Sequence, residues 1–268
     1  MVKKSLAALL IGFASGAPSG GAATAATAAM VATVAMAATV AMPATAAAGD
    51  ARDSAADSPV LPFAAQFQAE WKGIGVAVSD LDLRRAPDAH EYLYTWRVSA
   101  RGIFRLVYSD DVLQTSWFSI SGGHVRTRRY EASEGNTSVK LDFDWAGGHA
   151  RGTSEGKPLD LKLQEGTQDV LSIQIEVMQD LKNDSLPSHF QIIDKDEVKD
   201  FLYTREGTAR IHTALGWLDT VVVTSQRSGG NRVLRMWFAP ALGYTPVQAE
   251  RSRDGKLEFA MKIKTLRR

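Results

Sequence analysis

The sequence predicts a mainly β protein. It reads as a curved antiparallel sheet or partial β-barrel, with one main α-helix packed on it and a cleavable signal peptide in front. Three observations carry this reading. Several runs alternate apolar and polar residues with period two, short glycine-rich turns separate them at hairpin spacing, and one stretch has a helical period.

The clearest strand is Ser138–Trp145. Val139, Leu141, Phe143 and Trp145 are apolar, and the residues between them are polar. Such alternation puts one face on a core and the other in water. Residues 257–263 repeat it through Leu257, Phe259, Met261 and Ile263. Tyr92, Tyr94, Trp96 and Val98 give a third case, and Leu159, Leu161 and Leu163 a fourth. Turn signals sit at Gly122-Gly123, Glu134-Gly135-Asn136, Gly147-Gly148, Glu206-Gly207, Ser228–Asn231 and Asp254-Gly255. Glycine, Asn and Asp tolerate the positive φ that tight hairpins demand. Asp254-Gly255 joins 246–252 to 256–264 as the sharpest hairpin. A meander of this kind must curl or stack to bury its apolar face.

Residues 170–181 break the pattern. Val170, Leu171, Ile173, Ile175, Val177, Met178 and Leu181 form a broad helical stripe. Thr167 is placed to cap it, Asp169 suits its first turn by charge, and Asn183-Asp184 with Pro187 end it. The β-branched residues leave a strand as the competing reading. The helix would lie across the sheet and close one end of the core.

The first 48 residues are different in kind. Their only charges are Lys3 and Lys4; the apolar run Leu6–Phe13 comes next, then an Ala/Thr/Val/Met-rich stretch ending in Ala46-Ala47-Ala48. This is the order of a secretory signal, with the cut expected after Ala48 and the protein exported to a periplasm. The competing reading is an uncleaved membrane anchor, since residues 21–48 are uncharged and long enough to span a bilayer. The expected organisation is a signal over 1–48, a polar lead-in over 49–62 and a single domain over 63–268.

Composition limits the chemistry. The 268 residues are 45% hydrophobic and 23% charged, with 31 basic and 30 acidic side chains for a net of +1. That balance argues against nucleic-acid binding. Without the two signal lysines, 29 basic face 30 acidic side chains. Cysteine is absent, which excludes disulfides, thiolate metal sites, a catalytic cysteine and the lipid anchor of a bacterial lipoprotein. None of the common nucleophile, zinc-protease or phosphate-loop motifs is present. The five histidines are scattered, with no two at metal-ligand spacing. No cofactor and no metal are expected.

Three constellations remain as candidates. Asp142 and Asp144 share one strand face, roughly 7 Å apart. That arrangement suits a paired-carboxylate hydrolase or cation binding, or simply the wet face of an amphipathic strand. His124, Arg126 and Arg128 share another face, with Arg129 opposite; they could meet a phosphate, a lipid headgroup or an anionic sugar, or pair with nearby acids. Trp117-Phe118 and Trp237-Phe238 are adjacent in strands, so one ring of each pair leaves the core unless both faces are covered. An apolar concavity would explain them as well as a doubly covered sheet would.

Several short motifs occur in order along the chain: Phe143-Asp144-Trp145, Gln168-Asp169-Val170-Leu171-Ser172, Thr213-Ala214-Leu215-Gly216, Trp237-Phe238-Ala239-Pro240 and Tyr244-Thr245-Pro246-Val247. Over residues 64–266 this order resembles the bacterial exported family known as domain of unknown function 3108. The last two motifs are also similar to LolA/LolB-type periplasmic lipoprotein carriers, whose fold is a curved, incomplete barrel around an apolar cavity. The resemblance implies export and a β-rich fold, and it carries no catalytic residues.

The expected function is a non-enzymatic envelope module that binds an apolar or amphipathic, lipid-like ligand. Tyr94, Trp96, Trp117 and Trp237 would line its cavity, and Arg126 and Arg128 would meet an anionic headgroup at the rim. A hydrolase using Asp142 and Asp144, or a scaffold binding another envelope protein through its sheet edge, are the alternatives.

Overall fold

The computed structural model describes residues 60–87 and 91–268. The expected signal peptide, its cut after Ala48 and nearly all of the lead-in lie outside them. No helix of the described residues is long and apolar enough to cross a membrane.

Among the described residues, fifteen strands form one sheet. The first eight are β1 (Phe63–Trp71), β2 (Ile74–Arg85), β3 (Glu91–Ala100), β4 (Val112–Ser121), β5 (His124–Glu134), β6 (Thr137–Asp144), β7 (His149–Ser154) and β8 (Lys157–Lys162). The two-residue β9 (Gln168–Asp169) leads into helix α1 (Ser172–Lys182). The rest are β10 (His189–Asp194), β11 (Glu197–Thr213), β12 (Gly216–Arg227), β13 (Arg232–Ala239), β14 (Thr245–Arg253) and β15 (Lys256–Arg267).

The order is β8 through β1, then β15 through β9. Two meanders are therefore joined where β1 pairs antiparallel with β15. Every neighbouring pair is antiparallel except β9 with β10. The edges, β8 and β9, are successive in the chain without pairing, so the sheet curves strongly but does not close into a barrel. Edge strand β8 is short and carries Lys157, Pro158 and Lys162. Charge and a missing N–H donor both disfavour pairing with a further strand.

The alternation seen in the sequence sets the faces. In β6, Val139, Leu141 and Phe143 are buried while Lys140, Asp142 and Asp144 are exposed. In β1, Phe63, Ala65, Phe67 and Ala69 turn inward, and in β3 Tyr92, Tyr94, Trp96, Val98 and Ala100 do. Helix α1 sits in the concavity. Nine of its eleven residues are buried, including Glu176, Gln179 and Asp180. An amphipathic helix lying across an open sheet would keep a wet face; this one is enclosed nearly all round.

The structure departs from the expected pattern in three places, each for a local reason. Glu206-Gly207 is not a turn. It is a bulge within the 17-residue β11, with Gly207 at φ 132°, a backbone region that only glycine adopts readily. A second bulge between Trp117 and Phe118 gives β5 one extra residue, so that Arg128 and Arg129 are both exposed and Tyr130 is buried. Arg129 thus leaves the opposite face assigned to it by simple alternation. Third, Thr167 does not cap the helix. Its hydroxyl accepts the Gln164 N–H, and Asp169 takes the helix-initiating role.

Gly152, in the middle of β7, has a steric rather than a conformational reason. A Cβ there would lie 1.9 Å from the Lys140 carbonyl oxygen of β6. We expect Gly152→Ala to destabilise the protein by about 2 kcal/mol in chemical denaturation, because the β6–β7 ladder must spread to admit the methyl. An unchanged midpoint would contradict that packing.

Candidate ligand-binding site

Helix α1 is fixed to the sheet by a buried polar network. The Asp169 carboxylate is fully buried. Its Oδ1 accepts the backbone N–H groups of Leu171 and Ser172, both at 2.8 Å. Its Oδ2 accepts the Ser116 hydroxyl of β4 at 2.7 Å, and Thr127 Oγ1 of β5 lies 3.1 Å away. Ser172 Oγ donates to Gln168 Oε1, and Gln168 Nε2 donates to the Val125 carbonyl. Burial pushes the Asp169 carboxyl above its usual range, against the pull of those donors. The network satisfies the first N–H groups of the helix, which have no partner within it.

One helix turn onward lies a second polar cluster. Glu176 Oε2 accepts the Val125 N–H, and Glu176 Oε1 pairs with His124 Nδ1 at 2.8 Å. Asp180 stands at i+4 and is buried, with Oδ2 lacking a hydrogen-bond partner. Single donor atoms of His124, Glu176 and Asp180 all lie within 4.8 Å of one another, a nitrogen–oxygen set of the kind that divalent zinc-class cations accept. The sequence hid this group because His124 lies more than 50 residues from its acidic partners. The hydrogen bond to Glu176 raises the His124 pKa, while burial and the Glu176 charge raise Asp180 to about 7.

Between the helix and the inner face of the sheet is an apolar cavity. Phe67, Leu81, Trp96 and Gln114 line it from β1 to β4. Val170, Leu171, Ile173, Gln174 and Val177 line it from the helix side, and Tyr203, Leu234, Met236, Pro246, Ala249, Phe259 and Met261 from β11 and β13 to β15. The cavity is about 110 Å³, or about 870 Å³ counted out to its open mouth. Register explains one wall: Trp96 pairs with Leu81 on one side and Gln114 on the other, which puts the three on one face. Trp96 Nε1 donates to Ser79 Oγ at 2.6 Å, so its polar edge is satisfied and its ring is left to the cavity.

The residues expected at a site separate into groups. Trp96 lines the cavity. Tyr94 is fully buried and packs edge-on to Phe63, outside the lining. Trp117 turns to the outer face beneath the Arg129 guanidinium, 5.6 Å from the ring centroid, while its neighbour Phe118 stacks on Tyr92 in the core. Trp237 is buried but does not line the cavity, whereas the adjacent Met236 does. Arg126 lies over Trp145 at 5.0 Å, and Arg128 pairs with Glu91. Both arginines are on the outer face, away from the cavity lining. Asp142 and Asp144 are exposed as well, near Arg129 and Arg151 respectively. The inward polar positions Gln114, Ser116 and Thr127 were missed. Their signal was parity: each stands where its strand's alternation calls for an apolar residue.

A family model described as protein of unknown function (DUF3108) matches residues 66–262. No curated protein matches the chain. Among solved structures, a "putative exported protein with YmcC-like fold" from Bacteroides fragilis is 8% identical with a TM-score of 0.35. The match covers 77% of this chain and 95% of that one. A "putative lipoprotein" from Parabacteroides distasonis is 10% identical with a TM-score of 0.31, covering 78% and 96%. Neither is described as a LolA/LolB-type carrier.

The buried polar groups are testable by stability. Asp169→Ala strands the Ser116 hydroxyl and two helix N–H groups, and is expected to cost about 3 kcal/mol in denaturant unfolding; Ser116→Ala should cost about 1 kcal/mol. Similar small losses for both would mean that the carboxylate is not the anchor. A separate expectation concerns pH. The Asp180 carboxyl holds its proton to about 7 when folded, against an ordinary value of 3.8. The folded state therefore binds more protons across that interval, and stability falls as pH rises through it. The raised His124 acts in the same direction above 6.5. Thermal melts with chelator present should show a smaller loss between pH 5 and 8 for Asp180→Asn than for the parent. Equal losses would contradict the assignment.

Proposed function

The chain belongs to the DUF3108 family of proteins of unknown function, and from that premise we propose that it is an exported envelope protein that binds an apolar chain without chemical conversion. The observation that carries this reading is the cavity between α1 and the inner sheet, lined almost wholly by apolar side chains and open to solvent. Export rests on the order Lys3-Lys4, Leu6–Phe13 and Ala46–Ala48 at the N-terminus.

Size narrows the ligand. An apolar cavity of about 150 Å³ takes up benzene. A space of about 110 Å³ suits the end of an alkyl chain, and the wider mouth accommodates the rest of that chain. Burying a methylene is worth about 0.8 kcal/mol, so a few carbons give measurable affinity. A hydrolytic role for Asp142 and Asp144 finds no support in their position, because each sits beside an arginine on the exposed face.

Calorimetric titration with 1-octanol tests the proposal. Saturable binding with a negative heat-capacity change is expected, since apolar surface leaves water. Ala249→Leu, which fills part of the cavity, should weaken binding at least tenfold while leaving the circular dichroism spectrum unchanged. Absence of binding, or binding indifferent to that substitution, would overturn it.

A further inference from the structure

We propose that Arg232, Arg251 and Arg253 form an oxyanion-binding site at one end of the apolar cavity, for a phosphate or carboxylate group carried by the ligand. The inference rests on the chain-binding reading above for the ligand's tail, but the arginine site stands on its own geometry.

The site is built by register. Arg232 of β13 pairs with Arg253 of β14, and Leu234 pairs with Arg251 two residues along. Arg251 in turn pairs with Phe259 of β15. Paired residues share a face of the sheet. Leu234 and Phe259 line the cavity, so the arginines continue the same inner surface beyond it. The Arg251 guanidinium lies 5.9 Å from the ring centroid of Phe259, a residue of the cavity wall.

The donors of Arg251 and Arg253 are not used up by the protein. A bulge in β15 makes Glu258 the extra residue and turns it to within 3.4 Å of Arg251 Nε and 3.9 Å of Arg232 Nε. One carboxylate is thus divided between two guanidinium groups, and neither approach is a well-formed hydrogen bond. Arg251 is only 6% exposed, yet its Nε and Nη1 atoms are buried without a hydrogen bond, as is Nε of Arg253. Buried guanidinium donors without acceptors are costly, and a phosphate or carboxylate offers the acceptor geometry they fit. Desolvation, first among the causes, depresses the pKa of both Arg232 and Arg251, and the neighbouring arginines add to it. An anion placed among them would relieve both.

Alternation along β5 had pointed to Arg126 and Arg128 for an anionic headgroup. Those arginines lie on the outer face with partners of their own. Arg251 differs from them in being buried, in keeping donors without a hydrogen bond, and in lying beside Phe259 of the cavity wall.

Three titrations of the full chain, with octyl phosphate, 1-octanol and inorganic phosphate, test the site. Octyl phosphate should bind at least tenfold more tightly than 1-octanol. Arg251→Met, and separately Arg253→Gln, should reduce that ratio to near one and leave the 1-octanol affinity unchanged. Equal affinity of the two octyl compounds for the parent protein would overturn the arginine site while the cavity reading stands. Saturable inorganic phosphate binding that is lost in Arg251→Met, with no binding of 1-octanol, would keep the arginine site and remove the cavity reading. Failure of all three ligands to bind would overturn both. A preference for octyl phosphate that survives both substitutions would place the anion elsewhere and overturn the assignment.

Discussion

The Asp169 carboxylate is the point on which the arrangement turns. It is buried, and it takes hydrogen bonds from β4 and from the first turn of α1 while lying against Thr127 of β5. An open antiparallel sheet of this size has an apolar inner face and nothing in its own backbone to cover it. The helix supplies the cover, and Asp169 sets where the helix begins and which way it runs. A polar anchor also fixes position in a way that apolar contact does not, because its donors and acceptors accept few alternative registers.

The cavity is a consequence of that constraint. Held at its N-terminal end by Asp169 and by Glu176 one turn later, α1 stands over the inner face without filling it. Val170, Leu171, Ile173 and Val177 reach toward Trp96, Leu81 and Phe67, and space remains between them. The two meanders meet at β1 and β15 behind this space, so its walls come from both halves of the chain. At β13 to β15 the inner surface changes from Leu234, Met236 and Phe259 to Arg232, Arg251 and Arg253. An apolar tail and an anionic head would find their partners along one continuous face.

Much of the architecture was legible in the sequence. Alternation in β6, β3 and β15 identified both strands and faces, and the helix lies within two residues of its expected limits because its period differs from that of everything around it. The features that escaped are those that period-two reasoning does not contain. The bulges at Arg128 and at Glu206-Gly207 add a residue and shift parity, which moved Arg129 to the outer face and turned an expected hairpin into continuous strand. The alternation of β3 is enough to turn the Trp96 ring inward, whereas the directions of Trp117 and Trp237 depend on which side each strand presents to the helix. The arginine cluster joins residues 232, 251 and 253 across a strand pair, and the unpaired donors of Arg251 and Arg253 are a property of three-dimensional neighbours, not of local composition. The Asp169 network was half visible: the acid at the helix start could be read, but its partners Ser116 and Thr127 lay more than 40 residues away.

Hydrogen exchange of the native protein tests the central claim most directly. If the buried carboxylate makes helix and sheet one cooperative unit, the amides of 176–182 open only with global unfolding and exchange as slowly as those of β3 and β4. Helix amides exchanging much faster, while the central strands stay protected, would show that α1 lifts away on its own and would contradict the account.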